Sequence, residues 1–416
     1  MDTLKKESYR KIVCAVLLVL ASGLNAFAQD TEPAQVLIDS YKLPDKITTD
    51  AADKAISELN QALALCTDNT LRFRIEYRIG MINFKAGDLD KAVNCFERIA
   101  QATDCPDLIK LCSFNMASQV YRMQARDDKA LAAFEELIVH SKKIIGQDPN
   151  QPTPTAVLKL AVTAGFAKAE IYQYNENYDS AIGEYKKIIA LIKDKDPFAP
   201  NYIPPAMDRL SQVYLIEGKV EDYNQASVDL VKNYPDYYRV PIVQLETEAV
   251  KILKQKDASI NFPRGSFDAP ARLIALVKDG SDKEFKEKTT SIFKDLYSQY
   301  QQGYGGLLLG YHYAWLLDAA EKQNQAAEVL EAVCKQAASI NTDRPAIAHV
   351  ISTLTEYAKL QQAVIFGEEN KYREALELIY SLKSDPNDVH KQNLSDSIEN
   401  ALQTLKREVP KDVNDQ

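Results

Sequence analysis

Glycine is scarce in this chain, with 14 in 416 residues, roughly half of ordinary usage, so turns are few and helices long. Histidine is sparser still. His140, His312, His349 and His390 lie far apart, and none belongs to H-E-x-x-H or a comparable ligand pair. No C-x-x-C occurs, so neither a redox pair nor a zinc knuckle is signalled. A G-x-S-x-G elbow, a phosphate loop and a dinucleotide fingerprint are all missing. Gly303, Gly305, Gly306 and Gly310 depart from G-x-G-x-x-G because Leu308 stands where the third glycine belongs. They read instead as a flexible inter-helix turn followed by a helix that packs closely at Gly310. These absences leave no catalytic residues, no metal site and no cofactor to assign, and point to a non-enzyme. A basic excess is also missing: the net charge is −9 and no basic stripe occurs. That makes nucleic acid and anionic membrane surfaces poor partners. Past the first residues, no apolar run is long enough to span a bilayer.

What is present begins with a targeting segment. Lys5, Lys6, Arg10 and Lys11 precede the apolar run Ile12–Ala21, and Ala26-Phe27-Ala28 offers a small-x-small cleavage pattern before Gln29. Residues 1–28 are thus expected to be a cleaved signal peptide. Cys14 starts the apolar run, whereas a lipid-acceptor cysteine would follow it. The expected location is therefore soluble, in a periplasm or outside the cell, with no stable membrane insertion after cleavage. Cys66, Cys95, Cys105, Cys112 and Cys334 would remain. One bridge among the first four is conceivable in an oxidising compartment, but small buried apolar roles suit them better.

A pattern of small and aromatic residues recurs along the rest of the chain. In Tyr77–Ile99 (YRIGMINFKAGDLDKAVNCFERI), Gly80 sits on a first helix, Gly87 in a turn, and Ala92 and Phe96 on a second. Later copies carry Ala117, Tyr121, Ala125, Ala130 and Phe134, then Ala169, Tyr172, Ala181 and Tyr185. A fourth keeps Leu210, Tyr214, Gly218 and Leu230 but puts Tyr223 where alanine is expected. Ala314, Leu317, Ala326 and Leu330 fit more weakly, and Tyr372, Ala375 and Ile379 close the series. Helices that cross closely need a small residue at the crossing, and an aromatic four residues after the alanine fills the gap beside it. This pattern resembles the tetratricopeptide repeat. Intervals of 37, 38 and 51 residues separate Ala55, Ala92, Ala130 and Ala181, against about 34 in the familiar form, so the repeats are divergent.

The resemblance implies an all-α chain of antiparallel helix hairpins stacked into a right-handed α-solenoid, with an irregular helical middle. The expected organisation is a lead-in at 29–50, repeats at 51–236, an irregular segment at 237–303, further repeats at 304–386, and a capping helix and tail at 387–416. Asp196–Pro205, with four prolines, reads as a structured loop or linker. In the family the first helix of each repeat lines a concave groove. Carried onto this chain, that implies a groove of Arg74, Tyr77, Met81 and Phe84, then Asn115, Gln119 and Arg122, then Phe166, Glu170, Gln173 and Tyr174. The repeat-packing residues would be Gly80, Ala92, Phe96, Tyr121, Ala130, Phe134, Tyr172, Ala181, Tyr185 and Ala375. Trp315, the only tryptophan, also projects inward. Tyr77 and Met81 stand where a carboxylate clamp would begin, so terminal-carboxylate recognition is not implied. The expected partner is a protein or peptide, held by an exported scaffold in the cell envelope. The alternative is a glycan-binding protein of a polysaccharide-uptake system, since tyrosines (22 of them) can stack on sugars.

Overall fold

A computed structural model describes residues 48–146, 155–192, 199–262, 269–301, 303–342, 345–382 and 403. The signal peptide, nearly all of the lead-in and the expected capping helix lie outside these residues. Among the described residues there are sixteen helices and no strand. They fall into two compact units that divide between Ala206 and Met207.

In the N-terminal unit, α1 (Thr49–Leu65), α2 (Asn69–Ala86), α3 (Leu89–Gln101), α4 (Asp107–Met123), α5 (Asp127–Gly146), α6 (Thr155–Tyr174) and α7 (Tyr178–Ile192) each pack on the next. Alternate helices α2, α4 and α6 also touch one another, forming an inner layer. This is a helical-repeat solenoid, built hairpin by hairpin. The C-terminal unit holds most of α8 (Ala199–Ile216), then α9 (Val220–Asn233), α10 (Val240–Lys256), α11 (Ala269–Asp279) and α12 (Lys283–Gln299). It continues through α13 (Gly303–Ala319), α14 (Gln323–Ser339), α15 (Pro345–Glu368) and α16 (Tyr372–Leu382). Here α13 is the hub, packed on α10, α11, α12, α14 and α15.

One turn closes six of the hairpins. A residue one or two past the end of the first helix lies in the left-handed region: Gly87, Ala125, Glu176, Gly218, Glu321 and Asn370, with φ between 57° and 86°. The next amide then reaches back five residues to a helix carbonyl. Asp88 N donates to Asn83 O, Arg126 N to Tyr121 O, Asn177 N to Tyr172 O, Lys219 N to Tyr214 O, Lys322 N to Leu317 O and Lys371 N to Phe366 O, all at 2.8–2.9 Å. This Schellman closure satisfies carbonyls that the helix end would leave bare. Several second helices then start on a side-chain cap, as where Asp88 accepts from Lys91 N at 3.2 Å. The Lys91 ammonium, 2.7 Å from the same carboxylate, and then this backbone bond hold the Asp88 carboxyl below its usual range.

Counting from these turns aligns the packing. Seven residues before lie Gly80, Ser118, Ala169, Ser211, Ala314 and Ala363, all small and all buried. Five residues after lie Ala92, Ala130, Ala181, Tyr223, Ala326 and Ala375, and nine after lie Phe96, Phe134, Tyr185, Ser227, Leu330 and Ile379. Every one of these is buried. The second hairpin therefore uses Ser118 at the close crossing, next to Ala117. A Cβ on Gly80 would stand 2.8 Å from Phe96 Cε1, so only glycine fits there against that ring. Tyr223 is no defect: in its hairpin the large residue takes the alanine position and Ser227 the aromatic one, which keeps the volume of the pair.

Two expectations are corrected. Asp196–Pro205 is not a loop throughout, because α8 begins at Ala199 and contains Pro204 and Pro205. Those rings remove only the donors that would reach the Pro200 and Asn201 carbonyls, near the helix start, so the rest of the ladder survives. Gly305 and Gly306 lie inside α13 and not in a turn. A Cβ on Gly306 would fall 2.1 Å from Tyr300 O, so α13 approaches the preceding backbone more closely than any side chain permits.

Candidate functional site

The inner layer of the N-terminal unit carries the expected groove residues, and much of their surface is spent on packing. Tyr77 packs tilted against Phe96 with ring centroids 5.3 Å apart, and with Met81 and Phe84 it leans on the core made by α3 to α6. Burial drives the Tyr77 phenol well above its usual range. Asn115 and Gln119 are 4% and 2% exposed. Phe166 sets its edge against Tyr185 at 5.8 Å, and Tyr185 OH donates to Gln173 Oε1 at 3.0 Å. Arg122 reaches Glu170 across α4 and α6 at 3.4 Å. Arg74 is half-buried, and only Glu170 and Tyr174 of the set are well exposed. The repeat-packing residues are buried, Tyr172 being the half-buried exception.

The C-terminal unit presents more ring surface. From Gly305 to Leu317, α13 is buried on every side but one. Tyr304, Leu308, Tyr311 and Trp315 recur at helical spacing on that remaining face. Trp315 is 38% exposed, and its ring meets Tyr311 edge-on at 6.2 Å. At the other end Tyr238, 42% exposed, packs on Tyr304 at 5.5 Å. Across on α15, Val350, Tyr357 and Val364 repeat every seven residues and are all exposed. Tyr357 lies near enough to Tyr311 for the two to interact electrostatically, and burial raises the Tyr311 phenol. Contiguous exposed apolar surface of this kind marks interaction sites more often than chance exposure does.

Behind Tyr238 lies a buried charge cluster. Tyr237, whose ring meets Tyr238 edge-on at 4.8 Å, donates to Asp208 Oδ2 at 3.2 Å. Arg239 pairs with Asp208 at 2.8 Å and with Glu246 at 3.4 Å. The side chains of Asp208 and Glu246 thus share one guanidinium. Burial, with Asp208 adding to it and Arg239 opposing, pushes the Glu246 carboxyl up to about 8. This cluster anchors the tyrosine pair from below. Among the described residues no three His, Cys, Asp or Glu side chains converge as metal ligands. The five cysteines described are thiols, and burial raises those of Cys95, Cys105, Cys112 and Cys334.

Residues 76–102, the hairpin of Gly80 and Phe96, match the family model of the tetratricopeptide repeat. The chain carries divergent tetratricopeptide repeats. Solved structures similar to it include a tetratricopeptide repeat protein from Parabacteroides merdae, 14% identical, covering 78% of this chain and 95% of that one, with a TM-score of 0.34. A putative kinesin light chain with repeats of this type from Podosopora anserina is 14% identical over 53% of this chain and 99% of its own, with a TM-score of 0.35. The P58(IPK) repeat domain is 15% identical and covers 98% of each chain, with a TM-score of 0.27. No curated protein matches the sequence.

Tetratricopeptide repeats generally serve as non-enzymatic scaffolds that bind protein partners. In these repeats the aromatic face of α13 was hard to see from sequence. Only Trp315 stood out, because its neighbours sit in an apolar run with no visible polar face. The spacing of Tyr304, Leu308, Tyr311 and Trp315 was the available signal. It becomes informative once the remaining residues of α13 are known to be buried.

Proposed function

We propose that this chain is an exported, non-enzymatic scaffold that holds a protein partner in the cell envelope. The observation that carries the reading is the ring-lined face of α13, a helix that is otherwise buried. Tyrosine and tryptophan bring large contact area at low conformational cost, and they dominate the energetics of protein interfaces. The polar inner layer of the N-terminal unit, with Glu170, Gln173 and Tyr174, is a candidate surface in its own right. Export is supported by the basic start, the apolar run and Ala26-Phe27-Ala28, and amino-terminal sequencing of the secreted form should begin at Gln29. No helix among the described residues is long and apolar enough to cross a membrane.

A glycan-binding role is the second reading, and the same rings favour it, since sugars stack on them. Both are tested by capture from envelope extract with the full chain and with Trp315→Ala/Tyr357→Ala. Recovery of one protein by the first and not the second, with unchanged helical circular dichroism, supports the scaffold. Capture unaffected by the double substitution, together with glycan-array binding that is abolished by it, overturns the scaffold in favour of the glycan role.

A further inference from the structure

Charge is divided unevenly between the two layers of the N-terminal unit. The inner helices α2, α4 and α6 each carry a positive balance, and α2 the largest, with Arg72, Arg74, Arg78 and Lys85 against Glu76 alone. The outer helices α1, α3, α5 and α7 are each neutral or negative. Within α2 most of these cations fall on one stripe. Arg74, Arg78, Met81 and Lys85 follow the four-three-four spacing of a single helix face. That face is turned away from α1, which rests on Ile75, Ile79 and Ile82, and from α3, whose Phe96 closes on Gly80. Glu76 lies on the opposite side of the helix, 3.4 Å from Arg98 of α3. The half-buried stripe therefore carries three cations and a thioether, and no carboxylate of its own helix.

The chain arrives at this stripe from its Lys85 end. Thr48 caps α1, its hydroxyl accepting from Ala51 N at 3.4 Å. Ala52 and Ala55 then pack with Ile82 and Ala86 at the end of α2. Residues 29–47 immediately precede that cap. They hold Asp30, Glu32, Asp39 and Asp45 against Lys42 and Lys46, around the apolar run Val36–Ile38. Asp45 stands three residues before Thr48, so it is within about 10 Å of the cap. The whole segment can reach about 60 Å, against about 17 Å from Lys85 to Arg74. A tethered segment also meets a surface at an effective concentration in the millimolar range, so ion pairs too weak to hold a free peptide are enough to seat it. We propose that residues 29–47 lie back along α2 as a built-in occupant of the cationic stripe, their carboxylates facing Arg74, Arg78 and Lys85. A partner seeking this part of the inner layer would first have to displace them. This occupancy depends neither on the aromatic face of α13 nor on a scaffold role.

The test places a photo-crosslinking phenylalanine derivative at Tyr41 in the full chain, and maps the adducts by mass spectrometry. The expected adduct joins position 41 to residues 74–85 of the same chain, with a yield that does not change on dilution and falls as salt is raised. Reversing the stripe, with Arg74→Glu/Arg78→Glu/Lys85→Glu, should lower the yield by roughly threefold or more. Asp39→Lys/Asp45→Lys should do the same while leaving every described helix untouched, so a loss there is not a failure to fold. Combining the two sets should recover the adduct, with helical circular dichroism unchanged. Adducts to other helices, adducts only between two copies, no adduct, or a yield indifferent to both reversals would each overturn the proposal.

Discussion

Tyr223 and Ser227 offer the sharpest test of how these repeats pack. In the other five aligned hairpins a small residue precedes a large one by four positions on the second helix, as in Ala92 and Phe96. In α9 the order is inverted, and both members are 1% exposed. Truncating Tyr223 to alanine empties a buried ring site, which costs about 3–5 kcal/mol. The ring's weak contact to Thr247 Oγ1, at 3.4 Å, adds little, because that hydroxyl already donates to Val243 O at 2.6 Å. Changing Ser227 to phenylalanine forces a ring beside a filled site, at about 1–3 kcal/mol. Independent effects would sum to about 4–8 kcal/mol. If the two residues share one volume, Tyr223→Ala/Ser227→Phe restores the common order, and a coupling of about 2–3 kcal/mol is expected. The double variant should then be no less stable than Tyr223→Ala alone. Urea unfolding followed by far-ultraviolet circular dichroism reads this as the midpoint at constant slope. A double variant whose loss equals the sum of the singles would refute the shared-volume reasoning.

Other outcomes follow from the same geometry. Ala125→Gly should stabilise by about 0.5–1 kcal/mol, since relief at φ 57° outweighs the added freedom of the unfolded chain; a lower unfolding midpoint would argue against the left-handed turn. Gly80→Val should destabilise by about 1–3 kcal/mol, because Phe96 is wholly enclosed and cannot yield; wild-type stability would mean the crossing is looser than described. Glu246 carries a pH effect whose sign is fixed. Its folded carboxyl titrates at about 8 against an ordinary 4.5, so the folded state keeps a proton that the unfolded chain releases between those values. Stability contributed there is full below the lower value and is lost as pH rises toward the upper one. Thermal midpoints should fall over that window, and Glu246→Gln should flatten the fall; an unchanged slope in the variant would remove Glu246 as its source.

The helical class and the packing skeleton were legible where glycine, alanine and phenylalanine marked them, as at Gly80, Ala92 and Phe96. The closing turns were legible only at Gly87 and Gly218. Ala125, Glu176, Glu321 and Asn370 adopt the same left-handed geometry because the back-bonded amide and the packed helices on either side hold them there, and no local propensity announces it. Pro204 and Pro205 misled for the opposite reason, since a local rule about helix interiors yields near a helix start. Candidate binding residues were the least legible part. Spacing places Asn115 and Gln119 on an inner helix but cannot say that neighbouring helices enclose them. The reverse holds for Tyr304 and Tyr311, whose exposure depends on how five other helices leave one face of α13 open.

The most direct test places a photo-crosslinking phenylalanine derivative at Tyr357 on the aromatic face, at Tyr174 on the N-terminal inner layer, and at outward-facing Val139 as a control. All three positions are exposed, so each variant should fold. Irradiation in the native envelope is expected to yield one discrete protein adduct from position 357, and none from position 139. Adducts from position 139 alone, or from no position while capture of the partner persists, would contradict the assignment of the ring-lined face as the binding surface.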